Sequence, residues 1–421
     1  MEQKSAILYI ASRLPSRSET FVYREVIALR GISLRVLTAS VRTPETGLGD
    51  EELERMARTS MVVYKGAFAV LGDLCAEMKR DVVRTLGTVL TALRDALEHY
   101  RISPVGLAKT MVHAVSGISL ARRLCGSGVV RIHAHMAHVP ASIAMYASMH
   151  AGIPFSFTGH GADVFRDACL LEQKLARASH VVCISLWHRS FYSRLYERRV
   201  SHYPIVRCGV DAGHWAAAVA SKVEPLTKGD STPMILSVVR LVPKKGVHIL
   251  VRALGRMHGR GVAFRAVVAG GGAEFQNLKT LALACGVAGC IEWTGEIDHS
   301  RVADLLREST VFALPCVISK DGDRDGIPVS LMEAMAAGVP CVSSDFPAIR
   351  ELITDGVSGR LVPPEDPMAL DQAISDLIRD SLARAKIAAA GKERVESEFS
   401  TALNSQRLSR VFTGDAEGVL L

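Results

Sequence analysis

The segment DGDRDGIPVSLMEAMAAGVP, residues 321–340, is preceded by the apolar run VFALPC (311–316) and leads into PCVSS (340–344). Pro328 suits the first turn of a helix, Gly338 its C-terminal cap, and Pro340 stops any continuation, so a helix is predicted over 328–337. Strand, loop, helix and strand in that order make one unit of a parallel β-α-β fold. The same alternation extends outward. In the second half MILSVVR (234–240), FRAVVAG (264–270) and CIEWTG (290–295) read as further strands. In the first half AILYIA (6–11), LRVLTA (34–39), VVRIHAH (129–135), FSFTGH (155–160) and HVVCIS (180–185) do so. The fold class is α/β, with two open domains of parallel sheet that imply a cleft between facing strand ends, where sheets of this kind bind ligands. The segment AAAVASKVEPLTKGDSTP (216–233), rich in small and polar residues, reads as the linker. Expected domains are 1–214, 215–395 and a terminal helix within 396–421.

Composition narrows the function. The 421 residues suit two domains, and no apolar run reaches the ~18 residues of a membrane span. The N-terminus reads as a first strand rather than a signal peptide. Nine scattered cysteines without a C-x-x-C suggest reduced thiols and a cytoplasmic protein. Charge is uneven: residues 1–214 hold 27 Lys and Arg against 18 Asp and Glu, residues 215–421 only 23 against 25. No nucleic-acid motif accompanies the basic half, and aromatics for base stacking make up only 5% of the chain. The expected partner of this charge is an anionic membrane surface or a lipid-linked substrate, not nucleic acid. The Leu-, Val- and Arg-rich stretch 67–125, with Lys79, Arg80, Arg84, Arg94, Lys109, Arg122 and Arg123, is its candidate site. Solvated arginines on an ordinary helical hairpin are the plainer alternative.

The opening segment carries the chemistry. Its D-x-D-x-D-G start (Asp321, Asp323, Asp325, Gly326) imitates a calcium loop, but the twelfth position is Met332 and Pro328 interrupts the run. Helix physics offers a different use. Unpaired N–H groups around Gly326, Ile327 and Val329 suit an anion. Glu333 suits a ribose diol, and Asp325 the hydroxyls of a sugar beyond the phosphates. Upstream, SVVRLVPKKGVHILVRA (237–253) ends a strand at Arg240 and places Lys244 and Lys245 before a helix, a pattern that suits a diphosphate. VVAGGGAEF (267–275) empties a strand into three glycines, and Gly271 and Gly272 read as a turn lining the cleft.

Taken in order, R-x(4)-K-G (Arg240, Lys245, Gly246), V-x-A-G-G-G and D-G-I-P-x-x-L-M-E-A-M-A-x-G-x-P resemble the retaining glycosyltransferases of family 4. They are most similar to the colanic-acid-type exopolysaccharide branch. RLPSRSETFVYREVIAL (13–29), HAHMAHVPASIAMY (133–146), FSFTGHGADVF (155–165) and CGVD (208–211) are similar to it as well, so the resemblance runs from about residue 6 to 412. It implies a GT-B architecture, two Rossmann-like domains with parallel sheets facing a central cleft, and transfer of a hexose from a UDP- or GDP-sugar to a glycan or lipid-linked acceptor, in exopolysaccharide or lipopolysaccharide synthesis. No cofactor or obligatory metal is implied. Residue by residue it implies Arg240 and Lys245 on the diphosphate, Glu333 on the ribose, and Asp325 with Gly326, Ile327 and Pro328 on the donor sugar. His160 falls beside the reacting carbon, so His160, Asp325 and Glu333 form the catalytic set. The segment 396–412 resembles the helix that crosses back to the first domain.

Two departures stand out. Asp325 replaces the glutamate that opens the family's E-x(7)-E pair, and Gly270 to Ala273 replace its G-[DE]-G-P turn. His133, His135 and His138 form H-x-H-x-x-H without a carboxylate or thiol at recognisable ligand spacing, so no metal is assigned. His135 or His138 instead lines the acceptor side or serves structure. Ser18, Glu19 and Thr20 read as caps of a helix whose N-terminus faces the cleft, with Ser18 and Thr20 as cleft-lining residues. A sugar-nucleotide epimerase and a catalytically idle sugar-nucleotide-binding subunit of a polysaccharide assembly complex are the alternatives.

Overall fold

The computed structural model describes residues 5–17, 19–100, 103–165, 168–220 and 232–414. The chain divides into two compact units, Met1–Arg207 with Asn404–Leu421, and Cys208–Leu403. In the first, β1 (Ala6–Ala11), β2 (Arg35–Ser40), β3 (Met61–Val62), β4 (Val129–His135), β5 (Phe155–Thr158) and β6 (His180–Val182) form a sheet ordered β3-β2-β1-β4-β5-β6. In the second, β7 (Met234–Val238), β8 (Arg265–Ala269), β9 (Ile291–Gly295), β10 (Val311–Leu314), β11 (Cys341–Ser344) and β12 (Arg360–Val362) are ordered β12-β11-β10-β7-β8-β9. All pairings are parallel. β1, β5, β10 and β11 are buried along their whole length, as strands covered on both faces must be. In each sheet the strand order reverses beside its first strand, at β1/β4 and at β7/β10. The carboxyl ends of those pairs are where such sheets hold ligands.

The first unit's leading helices are α1 (Thr20–Gly31), α2 (Glu51–Thr59), α3 (Ala67–Arg80), α4 (Val82–Tyr100), α5 (Pro104–Leu124) and α6 (Val139–Ala151). Asp50 caps α2 by accepting from Leu53 N at 3.0 Å, and Ser103 caps α5 just ahead of Pro104. The expected capping of α1 is corrected. Glu19 holds the N-cap without a side-chain capping bond, and Thr20 already lies inside the first turn, past the capping position; Ser18 lies outside the described residues. The start of the expected linker is corrected too. Ala212–Ala220 is a helix, as its alanine run favours, whereas 221–231 lie outside the described residues.

The final helix, Thr401–Thr413, inserts Leu408, Val411 and Phe412 into the core formed by Ile7, Tyr9, Val22 and Val26. Asn404 Oδ1 accepts from Arg207 N at 3.0 Å and anchors its entry. The last segment is thus part of the first unit's core. Leu408→Ala is expected to lower stability by about 2–5 kcal/mol, read as a shift in the urea midpoint of the first unit's transition. An unmoved midpoint would show that this helix adds nothing to the core.

Candidate active site

In the second unit, the loops following β7 and β10 lie at the switch point. After β7 the chain passes Arg240, which is exposed, and makes a short 3-10 turn, Pro243–Lys245. Gly246 then enters the helix Val247–Gly259 with φ +64°, and a Cβ there would stand 1.7 Å from Pro315 O, so only glycine fits. This packing presses the lysine turn against the loop after β10, where Val317 N donates to Lys244 O at 2.9 Å. The acidic run meets the lysines there. Lys245 Nζ lies 2.7 Å from Asp325 Oδ2, and Lys244 Nζ lies 3.1 Å from Asp323 Oδ1 and 3.5 Å from Asp325 Oδ1. Asp321 accepts from Ser319 Oγ and Asp323 N, which closes the turn. Two of the three acidic positions are therefore committed to lysines.

Burial pushes the Asp325 carboxyl up, but Lys245 and Lys244 outweigh it and hold its pKa below the ordinary value. Burial likewise pulls the Lys245 ammonium down, and Asp325 outweighs it, leaving the pKa raised. The pair is ionised on both sides. Immediately downstream the helix Val329–Ala336 begins at Pro328 with no side-chain cap, so its first N–H groups are not taken by a capping side chain. Gly326, Ile327 and Pro328 are buried in the approach to this helix, and Glu333 is buried within it. The structure thus joins Lys245 to Asp325 directly. It also commits Lys244, which the sequence pattern set beside Lys245 as a diphosphate cation, to Asp323 and Asp325, and it brings in Asp323, to which sequence reasoning gave no part in the site.

The glycine turn has a role different from lining alone. Gly270 and Gly272 have φ +134° and +154°, and a Cβ on either would collide with Val239 O at 1.8 Å or Leu241 O at 2.3 Å. Leu241 N donates to Gly271 O at 2.8 Å. The close backbone approach is to the segment carrying Arg240, which the glycines hold in place.

In the first unit the carboxyl ends of β4 and β5 present His135 and His160. Register puts Tyr9 beside His133, His133 beside Ser156, and His135 beside Thr158. His135 Nε2 lies 2.8 Å from Glu25 Oε1, and His135 Nδ1 lies 3.2 Å from His160 Nε2. Tyr9 Oη donates to the same Glu25 oxygen. Phe21, one helical turn before Glu25 on α1, packs on the His160 ring at 4.7 Å. Thr20, half-buried, opens that helix. The HGAD turn is held by Asp163, whose carboxylate accepts from Gly161 N and Ala137 N at 2.7 Å each and from His160 N. Buried Lys174 donates to the carbonyls of Ala137 and His138, in the loop after β4 that Asp163 ties to the HGAD turn through Ala137 N. Burial, reinforced by His135, pushes the His160 pKa down to about 3, so its imidazole is neutral near pH 7.

Spacing alone did not find the carboxylate that the fold brings to the H-x-H strand. Ligand atoms of Glu25, His133 and His135 lie within 4.8 Å of one another, so the premise that no carboxylate accompanies these histidines is corrected. His133 is hydrogen-bonded to Ser156 and Thr158, and His135 to Glu25 and His160, so these bonds already occupy their ring nitrogens. One signal for Glu25 was present. It falls on the Val22, Val26, Leu29 stripe of α1, a charge on a buried face.

The two sheets define a GT-B glycosyltransferase fold, shared with solved structures over nearly the whole chain. Sucrose-phosphate synthase from Thermosynechococcus elongatus superposes with a TM-score of 0.74 at 17% identity, covering 98% of this chain and 99% of that one. Anabaena Alr3699/HepE in complex with UDP-glucose gives 0.71 at 16% identity, covering 97% and 99%. In sequence, residues 220–394 match the family Glycosyl transferases group 1. The putative colanic acid biosynthesis glycosyltransferase WcaL of Escherichia coli (strain K12) is 39% identical over 186 residues, 43% of this chain and 45% of that protein. The amylovoran biosynthesis glycosyltransferase AmsK of Erwinia amylovora is 29% identical over 62% of this chain and 68% of its own. The chain therefore spans less than half the length of the first of these relatives.

Proposed function

We propose that this protein is a retaining, metal-independent hexosyltransferase. It takes a hexose from a UDP- or GDP-sugar and passes it to a glycan or lipid-linked acceptor in exopolysaccharide or lipopolysaccharide assembly. The observation that carries this reading is the ionised Lys245–Asp325 pair ahead of an uncapped helix N-terminus, inside the segment that matches the group 1 transferases. Arg240, Lys245 and the helix N-terminus receive the diphosphate, Glu333 the ribose, and Asp325 with the backbone of Gly326, Ile327 and Pro328 the donor sugar. As the bond from the anomeric carbon to the diphosphate oxygen breaks, these groups stabilise the charge that develops on the leaving oxygen. The acceptor hydroxyl oxygen bonds to the same face of that carbon, and its proton passes to the departing diphosphate. His160 positions a substrate hydroxyl, and Glu25, through His135, fixes the ring and tautomer of His160.

A calorimetric titration with UDP- and GDP-sugars in EDTA, on the wild type and Glu333→Ala, tests the donor site. One donor is expected to bind without metal, and the substitution to weaken it by about 1.5–3 kcal/mol, tenfold or more. Equal binding by the variant would remove Glu333 from the ribose. Binding without turnover on any acceptor would favour a sugar-nucleotide-binding subunit.

A further inference from the structure

Helices α3 and α4 are inverted relative to ordinary surface helices, which bury their apolar stripe and expose their polar one. Val83, Leu86, Leu90, Leu93 and Leu97 of α4 recur at alternating three- and four-residue steps and form one continuous stripe, and all five are exposed, Val83 at 79% and Leu90 at 61%. The buried face of the same helix is Thr85, Thr88, Ala92, Asp95 and Ala96. Asp95 is held there by an ion pair with Arg177 and by Tyr146 Oη at 3.0 Å. In α3 the one buried residue is Glu77, which takes Arg122 at 2.9 Å and His150 at 3.2 Å, whereas Phe68 is 93% exposed and Leu71 lies outside as well. α5 packs against both helices and adds exposed Val105 and Val112. Single exposed apolar residues need no explanation, but a contiguous face of this extent marks an interaction site.

Charge identifies the occupant. Lys65, Lys79, Arg80, Arg84, Arg94, Lys109 and Arg122 are exposed on these helices and the turn before them, with Lys109 between Val105 and Val112 on the outer side of α5. Buried Asp95 is balanced by Arg177 and buried Glu77 by Arg122 and Arg80, and the carboxylates nearer the surface are Asp73, Asp81 and Glu98, so the seven cations outnumber the carboxylates they meet. Pairing this face with a second copy would bring two rims of like charge together. An anionic lipid surface instead offers headgroups to the cations and an apolar boundary to the leucines, and the long Arg and Lys stems reach back to the headgroups. Among the described residues no helix is long and apolar enough to cross a membrane, so the contact is made from one side.

We infer that the outer face of α3, α4 and α5 is a membrane-docking surface for anionic phospholipid, with α4 lying along the headgroup–acyl boundary. This goes beyond the transferase reading and stands independently of it. The test is co-sedimentation of the full-length protein with vesicles of pure phosphatidylcholine, or of phosphatidylcholine with 30% phosphatidylglycerol, at low and at 150 mM salt. Partitioning onto the anionic vesicles is expected to be at least tenfold stronger and to weaken with salt. Leu90→Glu, at an exposed site, should lose it tenfold or more with an unchanged melting temperature, and Arg94→Glu/Lys109→Glu, both at exposed positions, should do the same. Equal partitioning onto both vesicles, or full binding by Leu90→Glu, would overturn the inference. So would a self-associating protein that binds no vesicles and becomes monomeric on Leu90→Glu, because the face would then belong to a second copy.

Discussion

Asp325→Ala is expected to destabilise the second unit by about 3–5 kcal/mol, because it leaves the largely buried Lys245 ammonium without the carboxylate 2.7 Å away. Lys244 loses its second partner but keeps Asp323 at 3.1 Å. Chemical denaturation gives the magnitude, and a double-mutant cycle with Lys245→Met gives its origin. Removing both charges should cost less than the sum of the single changes. A loss under about 1 kcal/mol would mean that the pair does not hold the loop. The pH dependence follows from the two shifts. The carboxyl of Asp325 is depressed, so its contribution is present above the ordinary carboxylate range and disappears as pH falls through the lower folded value. The ammonium of Lys245 is raised, so its contribution is full below the ordinary lysine value and disappears as pH rises through the higher folded value. Between those limits the pair's contribution is flat. Because the same carboxylate is assigned to the donor sugar, transfer by Asp325→Ala should also fall by more than 100-fold, on the order expected for a misplaced reacting group.

The second large effect is in the first unit. Glu25→Gln is expected to lower kcat on the order of 10- to 100-fold while KM changes little. The carboxylate accepts from Tyr9 and from His135 Nε2–H, which leaves the His135 Nδ1 lone pair to accept from His160 Nε2–H. Glutamine keeps the shape but offers an N–H donor as well, so the tautomers along the chain need no longer be fixed. Glu25→Asp retains the charge on a shorter stem and should recover part of kcat. A purely structural role predicts equal losses for both variants, tracking melting temperature. An unchanged kcat in Glu25→Gln would remove Glu25 and His135 from the transfer step.

Much of the fold was legible because strands buried on both faces are written as uninterrupted apolar runs. Ten runs anticipated ten of the twelve described strands, including β1 and β4 to the residue. The other two, β3 and β12, are edge strands of two and three residues, too short to carry a period, and pairing with a neighbour makes them strands. The helix predicted over 328–337 was found at Val329–Ala336 because proline and glycine punctuate it locally.

The site divides along the same line. Each chemical group was visible as a residue type in a local motif, from the lysines after β7 to the histidines of β4 and β5. Which groups meet was not visible. Lys245 and Asp325 are 80 residues apart, and Glu25 and His135 are 110, so only the parallel strand order that places β10 beside β7 and β4 beside β1 brings them together. The outer helices show the same limit. Spacing alone sets the 83-86-90-93-97 stripe on one side of α4, since a helix turns once in 3.6 residues. Whether that stripe faces inward depends on what the neighbours offer the other side. Here Arg177, Tyr146 and His150 hold Asp95 and Glu77 inside, and the leucines are left outside.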